Sequence, residues 1–139
     1  MEYYEMFPDM KVSRLGFGAM RLPETEEGKI DRPLAMKMLK TAYDAGVNYY
    51  DTAQGYHKGE SKYFLGEFID RDTIYVANKM PMWDVKTLDD AKRIFQEQLD
   101  ACKVKHFDNY LLHSVNKDSL HRALDLGVID YMIEEKEAG

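Results

Sequence analysis

The chain has 139 residues, 32% of them charged, and its 19 basic and 25 acidic side chains leave a net charge of −6. Such a composition is that of a soluble globular domain, and with no basic stripe or arginine-rich run, nucleic acid is not an expected partner. No apolar run approaches the roughly 20 residues of a membrane span. The N-terminus holds Glu2, Glu5 and Asp9 instead of an apolar leader, and one cysteine, Cys102, forbids an internal disulfide and suits the reducing cytoplasm.

Two short extended pieces come first, Glu2 to Met6 and Lys11 to Ser13, around the turn-favouring pair Pro8-Asp9. A strand is expected over Arg14 to Gly18, then a polar loop over Pro23 to Lys29. Asp31 can cap a helix whose first turn holds Pro33; Leu34, Met38, Ala42 and Ala45 read as its apolar stripe, and Gly46 as its stop. Val47 to Asp51 is the next strand. Glu60 to Ile69 is a helix with Phe64, Leu65, Phe68 and Ile69 turned inward, and Thr73 to Lys79 is the strand after it.

Thr87 caps a further helix with Leu88, Ala91, Phe95, Leu99 and Cys102 on its buried side. Phe107 to His113 is the last strand. A final helical stretch carries Leu120 and Leu124, breaks near Gly127, and resumes with Ile129, Met132 and Ile133 before Gly139. Strands alternating with amphipathic helices predict parallel βαβ units. The expected fold class is α/β: a (β/α)4 half of a TIM-type parallel barrel with a short N-terminal β-hairpin. Residues 1–13 would be the hairpin and 14–139 the first four βα units of a single partial domain.

Gly18, Asp51, Lys79 and His113 stand at the ends of the four predicted barrel strands, recurring roughly every thirty residues, the length of one strand-plus-helix unit. Strand alternation puts Asp51 on one face with Val47 and Tyr49, Lys79 with Tyr75 and Ala77, and His113 with Asn109 and Leu111. In a parallel barrel such positions point into the mouth where active sites lie. Tyr56 follows Asp51 on a turn-prone loop (Gln54, Gly55) that can fold it back over the strand ends. An Asp holds a Lys in place, and the Lys charge favours phenolate in a nearby Tyr, which near its reference pKa of about 10 is a poor acid. A neighbouring His can polarise a carbonyl oxygen. The set would protonate a carbonyl as hydride arrives, and because no side chain supplies hydride, a nicotinamide cofactor is required.

The segments Leu15-Gly16-Phe17-Gly18-Ala19-Met20-Arg21-Leu22 and Asp51-Thr52-Ala53-Gln54-Gly55-Tyr56, with Lys79 closing YVANK and His113 in DNYLLHS, closely resemble the aldo-keto reductase family. The resemblance runs from about Val12 to Gly139. It implies a (β/α)8 barrel with a hairpin closing its base, reducing a small aldehyde or ketone (or oxidising the alcohol) with NADPH. By that resemblance Tyr56 is the general acid, Asp51 and Lys79 its tuning pair, and His113 the group that orients the substrate. Gly18, Ala19, Met20 and Arg21, with Asp51, would line the nicotinamide end of the cofactor.

A closed barrel typically needs about 250 residues, so the chain is expected to hold the catalytic tetrad without most of the cofactor site. YHKGESKYFLGEFI is also similar to bacterial members bearing a C-terminal iron–sulfur extension, although no ligand cysteines, and no metal site, occur in these residues. An open half barrel exposes sheet edges, so self-association or pairing with a missing C-terminal half is expected. The competing reading is a non-catalytic, oligomerising half barrel with relic active-site residues.

Taken singly, Asp51 reads as a helix cap, Lys79 as a solvated charge, His113 as a core histidine and Tyr56 as packing; the joint placement argues otherwise. Gly16 to Arg21 lacks the third glycine of a dinucleotide fingerprint. His57, His106 and His121 have no metal-ligand spacing and are expected at the surface. Cys102 and the methionines Met20, Met36 and Met38 are expected in the core. Trp83 and its neighbours Met80, Pro81 and Met82 suit either a substrate-side wall or packing.

Overall fold

Parallel pairing organises the chain: β3 (Phe17–Gly18), β4 (Tyr49–Asp51), β5 (Tyr75–Met80) and β6 (Asn109–Leu112) form one sheet in sequence order. The structure, a computed structural model, describes residues 1–69 and 73–139. Gly18 lies level with Asp51, Asp51 with Ala77, and Ala77 with Asn109. Lys79 therefore stands two residues beyond the position opposite Asp51, on the same face of β5. Four parallel strands in this order, each followed by helix, make an open portion of a barrel wall, with β3 and β6 as its outer strands.

A separate antiparallel hairpin, β1 (Tyr3–Phe7) and β2 (Met10–Ser13), turns at Asp9, which adopts a left-handed φ of 66°. It is tied to the amino end of β4. The Ser13 amide donates to Asn48 Oδ1 at 2.7 Å, the Asn48 amide donates to Ser13 Oγ at 3.1 Å, and Asn48 Nδ2 donates to the Lys11 carbonyl at 2.9 Å. Asn109 Nδ2 reaches Met6 Sδ at 3.6 Å, so the hairpin also touches the inner face of β6.

The helices start where their caps dictate. In α1 (Arg32–Asp44) Asp31 Oδ1 accepts from the Leu34 amide at 3.1 Å; in α3 (Leu88–Cys102) Thr87 and Asp90 form a reciprocal capping box. Between them lies α2 (Ser61–Phe68). The last two helices, α4 (Lys117–Asp125) and α5 (Val128–Ala138), are separated at Gly127, whose φ of 72° suits a residue without a Cβ.

Four sequence expectations change here. Leu34 and Met38 are 47% and 41% exposed, and α1 instead buries Ala35 and Leu39, one position on. The small Ala35 lets the helix approach the sheet closely, while the larger pair lies to one side. Met20 is likewise exposed at the strand ends, and only Met36 of the three methionines packs against the core. The first barrel strand contracts to Phe17–Gly18, and Val47 precedes β4 and lies in the sheet–helix core, away from the face of Asp51.

The main core lies between sheet and helices, where Tyr50, Phe64, Leu39, Leu65 and Val76 are fully buried. Each such side chain contributes on the order of 1.5–3 kcal/mol. Cys102 is buried as expected, and its surroundings push the thiol up to about 12. A second cluster holds Met80, Met82, Val85, Ile94 and Val128.

The tightest approach is at Gly66 of α2, where a Cβ would stand 2.4 Å from the Ala101 carbonyl oxygen and 2.9 Å from Cys102 backbone. Gly66→Ala should therefore cost about 1–3 kcal/mol, the range for overpacking a filled interior. A urea unfolding midpoint equal to that of the parent chain would refute this account of α2–α3 packing.

Candidate active site

Lys79, the penultimate residue of β5, lies on the same face as Asp51, and its long side chain bends back across one strand. Its ammonium donates to Asp51 Oδ1 at 2.6 Å, to Asp51 Oδ2 at 2.7 Å and to the Thr52 carbonyl at 2.8 Å. All three ammonium protons are thereby committed. The Lys79 and Asp51 side chains are 14% and 29% exposed, enough shelter to strengthen the ion pair relative to one in open water.

The chain beyond β4 then folds back. Tyr56 opens a tight turn (Tyr56–Gly59) in which His57 and Lys58 have φ of 50° and 56°. Two successive non-glycine residues in this left-handed region are uncommon and cost on the order of 1–2 kcal/mol each. The turn brings the Tyr56 ring centroid to 4.9 Å from the Lys79 ammonium. The contact is that of a cation over an aromatic ring.

His113 follows β6 and is held by its amide, which donates to the Met80 carbonyl at 3.0 Å. Its ring lies 5.8 Å from Tyr56, nearly perpendicular, and 4.9 Å from Trp83. Trp83 is exposed while Met80 and Met82 are buried, so the Met80–Trp83 segment divides between packing and the site wall. His113 Nδ1 is buried and, among the described residues, has no hydrogen-bond partner. Burial, aided by the Lys79 charge and opposed by Asp51, lowers its pKa below the ordinary histidine value. An unpaired buried acceptor is less costly than an unpaired buried N–H, so the neutral ring carries its proton on Nε2.

Gly18 and Ala19 adjoin this group from β3. The Ala19 amide donates to the Asp51 carbonyl at 2.8 Å, and the Ala19 carbonyl accepts from Ser61 Oγ at 2.7 Å. Among the described residues nothing beyond its own chain neighbours lies within 4 Å of where a Cβ on Gly18 would stand, and Met20 and Arg21 are exposed beside it. Space and a cation at the strand ends fit one end of a nicotinamide cofactor.

Sequence patterns did not indicate Gln98, Ser61 or His57 as parts of this region. Gln98 is fully buried; its amide donates to the Lys79 carbonyl at 2.9 Å and to Gln54 Oε1 at 3.2 Å, and it accepts from the Tyr110 hydroxyl at 2.6 Å. Its signal was a polar residue four positions after Ile94 on the buried side of α3. Ser61 Oγ gives its proton to Ala19, so Thr52 Oγ1 is the donor in their 2.9 Å contact. His57, expected at the surface, has a side chain only 5% exposed because its ring nitrogens bond to the preceding loop. His106 and His121 are exposed, as expected. Among the described residues no group of His, Cys, Asp or Glu could hold a metal ion, and no helix is long and apolar enough to cross a membrane.

Residues 14–137 match the Aldo/keto reductase family. The chain belongs to that family. Norsolorinic acid reductase B of Dothistroma septosporum is 34% identical over 88 residues, covering 57% of this chain and 22% of that protein. The aldo-keto reductase fold of PA4992 from Pseudomonas aeruginosa superposes with a TM-score of 0.81 at 22% identity, over 99% of this chain and 56% of that one. An aldo-keto reductase from Klebsiella pneumoniae, solved in complex with NADPH, gives a TM-score of 0.65 at 21% identity, over 83% and 42% of the two chains. The chain thus spans about half the length of these solved aldo-keto reductases.

The lowered His113 pKa makes stability depend on pH. The unfolded chain takes up the imidazole proton more readily, so His113 contributes fully above the ordinary value near 6.5 and its contribution is lost as pH falls from there toward the lower folded value. Urea midpoints measured from about pH 7.5 to 5.5 should decline more steeply for the parent than for His113→Phe. Parallel declines would contradict a lowered imidazole pKa at His113.

Proposed function

We propose that this aldo-keto reductase chain carries the proton-transfer half of an NADPH-dependent reduction of a small aldehyde or ketone. What supports the reading most is the Lys79 ammonium, pinned by Asp51 and Thr52 with the Tyr56 ring 4.9 Å away. In this reading the Tyr56 hydroxyl gives its proton to the carbonyl oxygen. The fixed positive charge of Lys79 stabilises the phenolate left behind, and Asp51 keeps that charge from swinging away. His113 Nε2–H donates to the same oxygen, orienting the carbonyl and drawing its electrons away from carbon. NADPH, when bound beside Gly18–Arg21, would supply the hydride to the carbonyl carbon while Tyr56 supplies the proton to its oxygen.

Gly18, Ala19, Met20 and Arg21, with Asp51, are the residues here that would meet the nicotinamide end. The Klebsiella pneumoniae relative with bound NADPH supports that choice of cofactor. Trp83, exposed beside His113, would flank an apolar substituent of the carbonyl compound.

A specific observation favours a companion for this half barrel. Leu34 and Met38 on α1, the helix that follows outer strand β3, and Leu124 and Ile133 on α4 and α5, which follow outer strand β6, are exposed. A second set of βα units, in another copy of the chain or in a separate half, would cover both pairs. Were these surfaces the chain's whole purpose, it would be an oligomerising module with relic catalytic residues. Light scattering with and without NADPH separates the two: association without cofactor binding supports the module, whereas NADPH quenching of Trp83 fluorescence supports the enzyme.

Tyr56→Phe should lower carbonyl reduction by orders of magnitude with cofactor affinity nearly unchanged; undiminished turnover would rule out the acid role. Lys79→Met should impair the same step and alter its pH profile. An unaltered profile would leave the ammonium without a part in proton transfer.

A further inference from the structure

We infer that His57 is a positioning residue, whose imidazole staples the turn carrying Tyr56 to the loop that follows β3 and so fixes the phenol against Lys79 and His113. For its effect on turnover, though not for its geometry, the inference rests on the function proposed above. His57 Nε2 accepts the Leu22 amide at 2.9 Å, and Nδ1 lies 3.0 Å from Glu24 Oε1. An accepting Nε2 carries no proton, so Nδ1 carries it and donates to Glu24. The ring is thus a neutral bridge with both nitrogens engaged.

Each end of the bridge is anchored. Leu22 is buried, and its amide finds its acceptor on this ring. Glu24 pairs with Ile30 in an antiparallel bridge, and the neighbouring Pro23 carbonyl accepts from the amide of Asp31, the cap of α1, at 2.8 Å. The near end is one peptide bond from Tyr56. There the backbone takes the left-handed conformation at His57 and Lys58 that the bridge over-determines. On the backbone, Tyr56 donates its amide to the Ala53 carbonyl at a long 3.3 Å, and its carbonyl meets the Glu60 amide inside the same turn, so both bonds are local and neither ties the turn to β3. The bridge bonds to Leu22, next in the chain to Arg21, so the phenol and the surface proposed for the nicotinamide end are fixed relative to one another.

A purely conformational role for His57 predicts something different. Glycine adopts a left-handed φ without strain, so His57→Gly removes the bridge while sparing the turn. His57→Gln returns an acceptor that can reach the Leu22 amide. Two readings need neither cofactor nor turnover: hydrogen exchange at the Leu22 amide and the NMR ring shifts of Tyr56. We expect His57→Gly to keep the parent's far-UV circular dichroism, to speed Leu22 exchange roughly tenfold, the scale of one lost bond to a buried donor, and to move the Tyr56 ring signals toward those of a free tyrosine. His57→Gln should recover part of both, and should decide the matter if the glycine chain does not fold. Where the parent reduces a carbonyl, kcat should fall with Leu22 protection while KM for NADPH holds. Unchanged Leu22 exchange, unmoved Tyr56 signals, or an undiminished kcat in His57→Gly would overturn the staple. A parent chain that binds and reduces nothing, with both NMR readings still responding, would count against the proposed function and leave the staple standing.

Discussion

The Lys79 ammonium gives its protons to both Asp51 oxygens and to the Thr52 carbonyl, and the carboxyl ends of the sheet are arranged around that committed cation. The parallel register makes the contact possible, because Lys79 sits two residues past the point opposite Asp51 and on the same face. A register slip of one residue would turn every side chain of β5 over and place the charge among the apolar residues of the helical layer. Pairing geometry and electrostatics therefore select the same alignment. The Tyr56 turn, the His113 ring and the Ala19 backbone all close upon a charge whose position the sheet has already set.

Supports around that charge come from outside the strand ends. Gln98 reaches from α3 to the Lys79 carbonyl and to Gln54, while Ser61 at the start of α2 holds the Ala19 carbonyl and meets Thr52. These polar side chains are buried and bonded, as such groups must be if they are not to cost more than they contribute. Two helices that otherwise pack by apolar contact thus also steady the loops between strand and helix.

Much of this was legible in the sequence, for reasons that differ by residue. Asp31 and Thr87 announced their helices because capping is local chemistry, and Gly127 announced a break because few other residues tolerate its φ. The strand-end spacing of Gly18, Asp51, Lys79 and His113 survives folding because each βα unit consumes a similar length of chain. Leu34 and Met38 misled because two apolar stripes run side by side on α1, and bulk pointed to the wrong one; closeness of approach favours Ala35 and Leu39. His57 and Gln98 were illegible because their partners lie 35 and 44 residues away, at Leu22 and Gln54, and no periodic pattern encodes a single long-range hydrogen bond.

The order of the sheet also bears on how the chain acquires its shape. Strands β3, β4, β5 and β6 are neighbours in the same sequence in which they leave the ribosome. No strand must be held apart to admit a later one between two earlier partners, and each new unit docks onto the edge most recently completed. Parallel pairing is slow when the loops to be closed are long, yet here every closure spans a single helix. Such a chain can build its wall during synthesis, one unit at a time, with the newest strand as the growing edge at each stage.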